Sequence, residues 1–273
     1  MDVSISRAGR RGHELAIALH CSGSSAAQWR LLGEMLGEGF ELVAPEHYDS
    51  GNAPAWGNDH AFTLADEAAR TIALIDSTNR KVHLVGHSYG GGVALHVALY
   101  RADRIASLTL YEPSAFYLLK QLANGGKPFA EIKAVADSVA FSVITGDRPS
   151  GARDFVDYWG GGGTWDALRP SHQQTLIRWL PKVTLEFTAL LNEPTSLSAF
   201  MDFGAPVLIV RGEHAPAPTR LISDTLPSAF PVARLAVVAG AGHMGPLTHG
   251  AEVNALIVQH ILGMSTRPKR EAA

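Results

Sequence analysis

The run Gly86-His87-Ser88-Tyr89-Gly90 sets a serine between two glycines, each two positions away. The strand-length run Val82-His83-Leu84-Val85 precedes it, and a helical pattern that opens with further glycines follows. A turn from strand to helix this sharp is strained, and a Cβ at either flanking glycine crowds the backbone. The Ser88 hydroxyl is thereby pushed up and out, where it can attack a carbonyl carbon. A serine hydroxyl is barely nucleophilic near neutral pH and needs an adjacent base to take its proton. Among the twelve histidines, the candidate is His243, in the Gly-rich loop Ala239-Gly240-Ala241-Gly242-His243-Met244. Such a loop lets an imidazole approach a nucleophile closely. His249 lies six residues on, where the last helical pattern begins, while His83 and His87 flank the serine turn with His87 directed away from Ser88.

These groups can meet only if a scaffold brings distant segments to one edge. Strand-length apolar runs recur near Glu14 to His20, Phe40 to Ala44, Lys81 to Gly86, Ile105 to Tyr111, Pro206 to Arg211 and Ala233 to Val238, with a further edge strand at Val3 to Ser6. Between Phe62 and Asp76, Leu64, Ala68, Ile72 and Ile75 recur at helical spacing, and Gly91 to Tyr100 reads as the helix leaving the serine turn. This alternation predicts an α/β protein: a mostly parallel sheet flanked by helices. The stretch from Ser114 to about Phe203 breaks the rhythm, being far longer than an ordinary connection and helical in pattern. It reads as an inserted helical cap (114–203) over a core formed by 1–113 and 204–273. Its Phe116, Tyr117, Phe129, Phe141, Phe155, Tyr158, Trp159, Trp165, Trp179 and Phe187 supply a cap core and, on the side facing Ser88, an apolar pocket. Gly160 to Gly163 read as a flexible loop or hinge, since neither a preceding strand nor a following Lys-Ser or Lys-Thr pair makes them a phosphate cradle.

Composition removes several function classes. At 273 residues, 46% hydrophobic and 18% charged, the chain resembles ordinary globular proteins and not disordered ones. A net charge of −3 with scattered Lys and Arg predicts no nucleic-acid partner. One cysteine, Cys21, excludes an internal disulfide framework and fits a reducing cytoplasm. No secretory signal is expected from Met1-Asp2-Val3-Ser4, no membrane span from apolar runs this short, and Ser265 to Glu271 reads as a solvated tail. No metal site or cofactor is expected: the histidines form no His-Glu-x-x-His pattern, and a single cysteine builds no thiolate site.

With the serine turn, His20-Cys21-Ser22-Gly23-Ser24-Ser25 after the first long strand and the His243 loop after the last, the chain resembles α/β-hydrolase fold proteins over nearly its whole length. Relatives of that kind include esterases, thioesterases, carbon–carbon bond hydrolases and cofactor-free haloperoxidases. The resemblance implies an oxyanion hole made by the backbone N–H groups of Tyr89 and Ser22. Cys21 stands where such relatives usually carry glycine; its expected role is small apolar packing. The resemblance also implies a carboxylate partner for His243. Its commonest position follows the next-to-last strand, but in Arg211-Gly212-Glu213-His214-Ala215 that position is alanine. A second position used in the superfamily follows the preceding strand, where Glu112 ends Leu110-Tyr111-Glu112. Glu112 is the first candidate acid and Glu213 the alternative, with another carboxylate or an unassisted Ser-His pair still open.

The expected function is hydrolysis of a carboxylic ester or related acyl compound bearing a hydrophobic or aromatic group, through a Ser88 acyl-enzyme. Two alternatives stand beside it. One is carbon–carbon bond hydrolysis, lyase or perhydrolase chemistry with the same residues; the other is a non-catalytic ligand-binding homologue, favoured by the alanine at the usual acid position. Sequence sets neither the oligomeric state nor the particular substrate.

Overall fold

A computed structural model describes residues 5–8, 14–57 and 60–265. Among these, seven strands form one sheet: β1 (Ile5–Ala8), β2 (Glu14–Leu19), β3 (Phe40–Pro45), β4 (Val82–His87), β5 (Ile105–Tyr111), β6 (Val207–Gly212) and β7 (Ala233–Val238), in the order β1-β3-β2-β4-β5-β6-β7. Only β1 runs antiparallel, against β3. Of the expected edge strand, Val3 and Ser4 lie outside the described residues, as does the expected tail beyond Ser265.

The helices are α1 (Arg30–Leu36), α2 (Leu64–Asp76), α3 (Tyr89–Tyr100), α4 (Gly126–Thr145), α5 (Arg148–Gly160), α6 (Thr164–Ala167), α7 (Pro170–Asn192), α8 (Ala217–Thr225), α9 (Gly245–Thr248) and α10 (Gly250–Ser265). They cover both faces of the sheet. That is why the central strands are buried along their whole length and read as continuous apolar runs. Within β2, Leu15, Ile17 and Leu19 join one core with residues of α2 and α3, while Ala16 and Ala18 face the other with Trp29, Leu32 and Ile257. The period-two alternation of a strand thus assigns each residue to one layer.

Helix α2 starts at Leu64, the first residue of the apolar spacing. Thr63 caps it, accepting from the Asp66 N–H while the Asp66 carboxylate accepts from the Thr63 N–H. Between β5 and β6 the chain makes a long helical excursion through α4 to α7. Gly160 ends α5, and Gly161 and Gly163, at φ 93° and 85°, turn the chain into α6. No helix among the described residues is long and apolar enough to cross a membrane.

The sheet order sets the site. Strand β2 lies between β3 and β4, so the connections out of β2 and β3 run to opposite sides, opening a crevice at the carboxyl ends. In register, Leu19 pairs with Gly86 and His87 with Tyr111. The loops after β2, β4 and β5 therefore emerge side by side.

Candidate active site

Ser88 sits at φ 54° and ψ −119°, outside the regions ordinary residues prefer. Such strain costs of order 1–3 kcal/mol and persists only where the surroundings enforce it. Here they do: a Cβ on Gly86 would lie 2.5 Å from the Gly90 carbonyl oxygen, and one on Gly90 would lie 2.4 Å from that of Leu19. The Ser88 N–H donates to the Tyr111 carbonyl, and the Ser88 carbonyl accepts from the N–H groups of Gly92 and Ser114. The turn runs straight into α3, which begins at Tyr89 instead of the expected Gly91.

Ser88 Oγ lies 2.8 Å from His243 Nε2, and His243 Nδ1 lies 2.8 Å from Glu112 Oε2. Glu112 also has positive φ, 39°, which swings its side chain back over the sheet edge. Its other oxygen accepts from the Gly212 N–H at 2.9 Å, and Thr219 Oγ1 donates to Oε2 at 2.8 Å. A carboxylate this well supplied with donors and fully buried is an acceptor for the Nδ1–H of His243, leaving Nε2 free to accept from Ser88. Glu213 is not part of this group; its carboxylate accepts from the Gly240 N–H and braces the loop before His243. Ala215, at the position where relatives carry the acid, is buried.

The imidazole is held from several sides. His87 donates from Nε2 to the His243 carbonyl at 2.9 Å, and its Nδ1 lies 3.1 Å from the Gln28 amide, which also accepts from the Cys21 N–H. Burial keeps His87 well below its ordinary pKa, and so neutral, as this pattern requires. Trp159, the penultimate residue of α5, lies tilted over His243 with ring centroids 4.1 Å apart. Sequence reasoning passed over Gln28 and the tie from His87, and it named Trp159 as a cap aromatic without its contact to His243; none of these has a local signal.

Tyr89 opens α3, where backbone N–H groups have no partner within the helix and the helix dipole favours negative charge. Ser22 lies in the loop after β2 and lines the same cavity as Ser88. Burial pushes the Cys21 thiol up to about 12, so it stays protonated near neutral pH and is a poor nucleophile. Cys21→Ala is expected to retain most activity, within about threefold in kcat on an aryl ester. Loss of all turnover in a folded Cys21→Ala protein would bring a thiol mechanism back.

Ser88 and His243 open into a cavity of about 860 Å³. Phe116, Phe155, Trp159, Trp179 and Phe187 form its aromatic wall, whereas Phe141 points to solvent. The wall is not wholly apolar, because Lys182 and Glu186 of α7 also line it, both buried. Their signal was in the sequence: they fall on the face marked by Trp179, Val183 and Phe187 at helical spacing, where a charge must find a partner.

Behind the loop after β2, His47 packs between His20 and Glu67. Burial, with His20 adding to it, pushes its pKa down to about 4 from 6.5. The unfolded chain then binds a proton below pH 6.5 that the folded protein refuses, so stability falls as pH drops from 6.5 toward 4. At pH 5 this amounts to about 2 kcal/mol. Glu46 and Glu67, both held low, withdraw their own contribution only below their ordinary range near 4.5. Urea unfolding at pH 7 and pH 5 should show a drop that is smaller by about this amount in His47→Gln. Equal drops in the two proteins would show that His47 takes up its proton in the fold.

Residues 16–256 match the sequence model of the alpha/beta hydrolase family. The chain belongs to this family. Similar proteins include RutD of Variovorax paradoxus, a candidate carbamate hydrolase, 39% identical over 90 residues, which are 32% of this chain and 34% of that protein. Another relative is the lipase LipV of Mycobacterium tuberculosis, 30% identical over 115 residues, 42% of each chain. Both matches thus span less than half of the relative's own length. Among solved structures, the α/β hydrolase MGS-M2 from a Medee basin deep-sea metagenome superposes with a TM-score of 0.79 at 15% identity, covering 99% of this chain and 96% of its own. The last likeness shows the shared hydrolase fold.

Proposed function

We propose that this α/β hydrolase cleaves a carboxylic ester or related acyl compound carrying a hydrophobic group, by way of a Ser88 acyl-enzyme. The observation that carries this reading is the continuous chain Ser88–His243–Glu112 opening on a cavity with an aromatic wall. His243 Nε2 takes the Ser88 proton as Oγ attacks the substrate carbonyl. The carbonyl oxygen becomes an oxyanion between the N–H groups of Tyr89 and Ser22, and Glu112 stabilises the imidazolium. His243 then hands the proton to the leaving alcohol. In the second half, it takes one from the water that attacks the acyl-enzyme, and Ser88 is regenerated.

The aromatic ring of Trp159 over His243 also favours the imidazolium. The excursion between β5 and β6 serves as a cap that excludes water from the acyl group. The alanine at position 215 favours a non-catalytic binding protein, but Glu112 against His243 counts against that alternative. The test is labelling by a fluorophosphonate probe, with Ser88→Ala as control. Labelling of the unaltered protein alone supports the reading, and no labelling of either sinks it.

A further inference from the structure

A buried polar bridge runs from one expected oxyanion donor to the other. Tyr89 donates from its hydroxyl to Glu67 Oε2 at 2.9 Å, and Lys182 Nζ donates to the same oxygen at 2.9 Å. Lys182 Nζ also donates to Glu186 Oε1 at 3.0 Å, and Glu186 Oε2 accepts from Ser22 Oγ at 2.5 Å. Four separate elements contribute: Glu67 from α2, Tyr89 from α3, Lys182 and Glu186 from α7, and Ser22 from the loop after β2. The ammonium further lies 4.8 Å from the centroid of Phe62 and 4.9 Å from that of Tyr89.

Stability does not explain such a bridge. A buried ion pair is often no more stabilising than apolar residues of the same volume, although breaking one partner is costly. What it does supply is geometry, because each bond is short and directional. Burial alone would discharge Lys182, but Glu186 and Glu67 hold its pKa above the usual value, so the ammonium stays charged, whereas burial moves the Glu186 carboxyl up from its ordinary value. Its ends are the side chains of the two residues whose N–H groups are the expected oxyanion donors, and its centre belongs to the helical excursion.

We propose that Lys182 is a positioning residue: through Glu67 and Glu186 it ties Tyr89 to Ser22, so that the two oxyanion donors reach working separation only when α7 is seated on the core. This rests on the Ser88 hydrolase reading and on the assignment of those two N–H groups. A misplacement of about 1 Å at a reacting centre can cost roughly 10²-fold in rate, which sets the size of the effect.

The test compares the unaltered protein with Ser22→Ala, Glu186→Gln and Lys182→Met. Readouts are kcat and KM on one aryl ester, and inhibition by an aryl-alkyl trifluoromethyl ketone and by the matching methyl ketone. The fluorinated ketone forms a hemiketal: Ser88 Oγ bonds to its carbonyl carbon, the Ser88 proton passes to His243, and the carbonyl oxygen becomes the oxyanion. The methyl ketone reports ground-state binding. Severing the bridge is expected to lower kcat by roughly tenfold to 10²-fold and to weaken the trifluoromethyl ketone by the same factor. KM and the methyl ketone should stay within about threefold. Lys182→Met can fail to fold; Ser22→Ala keeps the backbone N–H and a small side chain, so it carries the test alone if needed. Equal weakening of both ketones, or kcat unchanged in folded Ser22→Ala and Glu186→Gln, would overturn the proposal while leaving the hydrolase reading intact. A protein that is not labelled at Ser88 and binds the two ketones equally would overturn both.

Discussion

Ser88→Ala is expected to lower turnover of an aryl ester by roughly 10⁶-fold while the protein stays folded, as when a serine is removed from a serine–histidine unit that acts together. The fold should tolerate the change. Alanine keeps the Cβ that already occupies the strained turn, and Gly86 and Gly90 still provide the space that allows it. Removal of the hydroxyl leaves His243 Nε2 and Ser114 Oγ, 2.8 and 3.2 Å from Ser88 Oγ, to share a water. Thermal melting should therefore differ by no more than a few degrees, about 1 kcal/mol for a chain this long. The decisive comparison is kcat at saturating ester, with fluorophosphonate labelling on the same preparations. A residual rate within tenfold of the unaltered protein would remove Ser88 as the nucleophile.

Local rules reach this far because the serine turn is a local event. Steric exclusion at Gly86 and Gly90 acts between residues a few positions apart or in the neighbouring strand, and the type of residue alone announces it. The strands were legible for a similar reason: burial on both faces demands unbroken apolar runs, and Ile105–Tyr111 and Val207–Gly212 fall where those runs lie, while the edge strand Ala233–Val238 keeps an apolar run although only its last residue is buried. The start of α3 was misread by two residues because the strained Ser88 acts as the residue before the helix, with no capping side chain to mark it. Contacts across the excursion obey no such rule. Lys182 and Glu67 are 115 positions apart, and their meeting depends on how α7 docks on α2. The aromatic wall expected from composition is present, yet composition could not say that Phe141 would face solvent while Trp159 lay on His243. The choice of acid lies between these cases. Both Glu112 and Glu213 follow parallel strands at the same edge of the sheet, and only the backbone conformation at Glu112, with Gly212 and Thr219 supplying donors, aims one of them at the imidazole.

Glu112→Gln tests that choice with little change of volume. A glutamine at this position can still accept at one oxygen, but its amide presents N–H where His243 Nδ1–H now donates. The imidazole is then driven to the opposite tautomer, with its proton on Nε2, where it cannot take one from Ser88. The negative charge that favours the imidazolium is lost as well. A triad aspartate replaced by asparagine loses about 10⁴-fold in kcat, equivalent to about 5 kcal/mol of barrier, and a loss approaching this is expected here. Glu213→Gln should lose less than about tenfold, because that carboxylate braces the Gly240 N–H and does not touch the imidazole. The two variants are to be compared in kcat on one aryl ester from pH 6 to 9, after thermal melting has shown both folded. Partial recovery of Glu112→Gln at high pH would fit the tautomer argument, since hydroxide can then replace the missing base. If Glu213→Gln is the crippled variant and Glu112→Gln turns over near normally, the acid follows β6, and the bond between Glu112 and His243 has a role in folding alone.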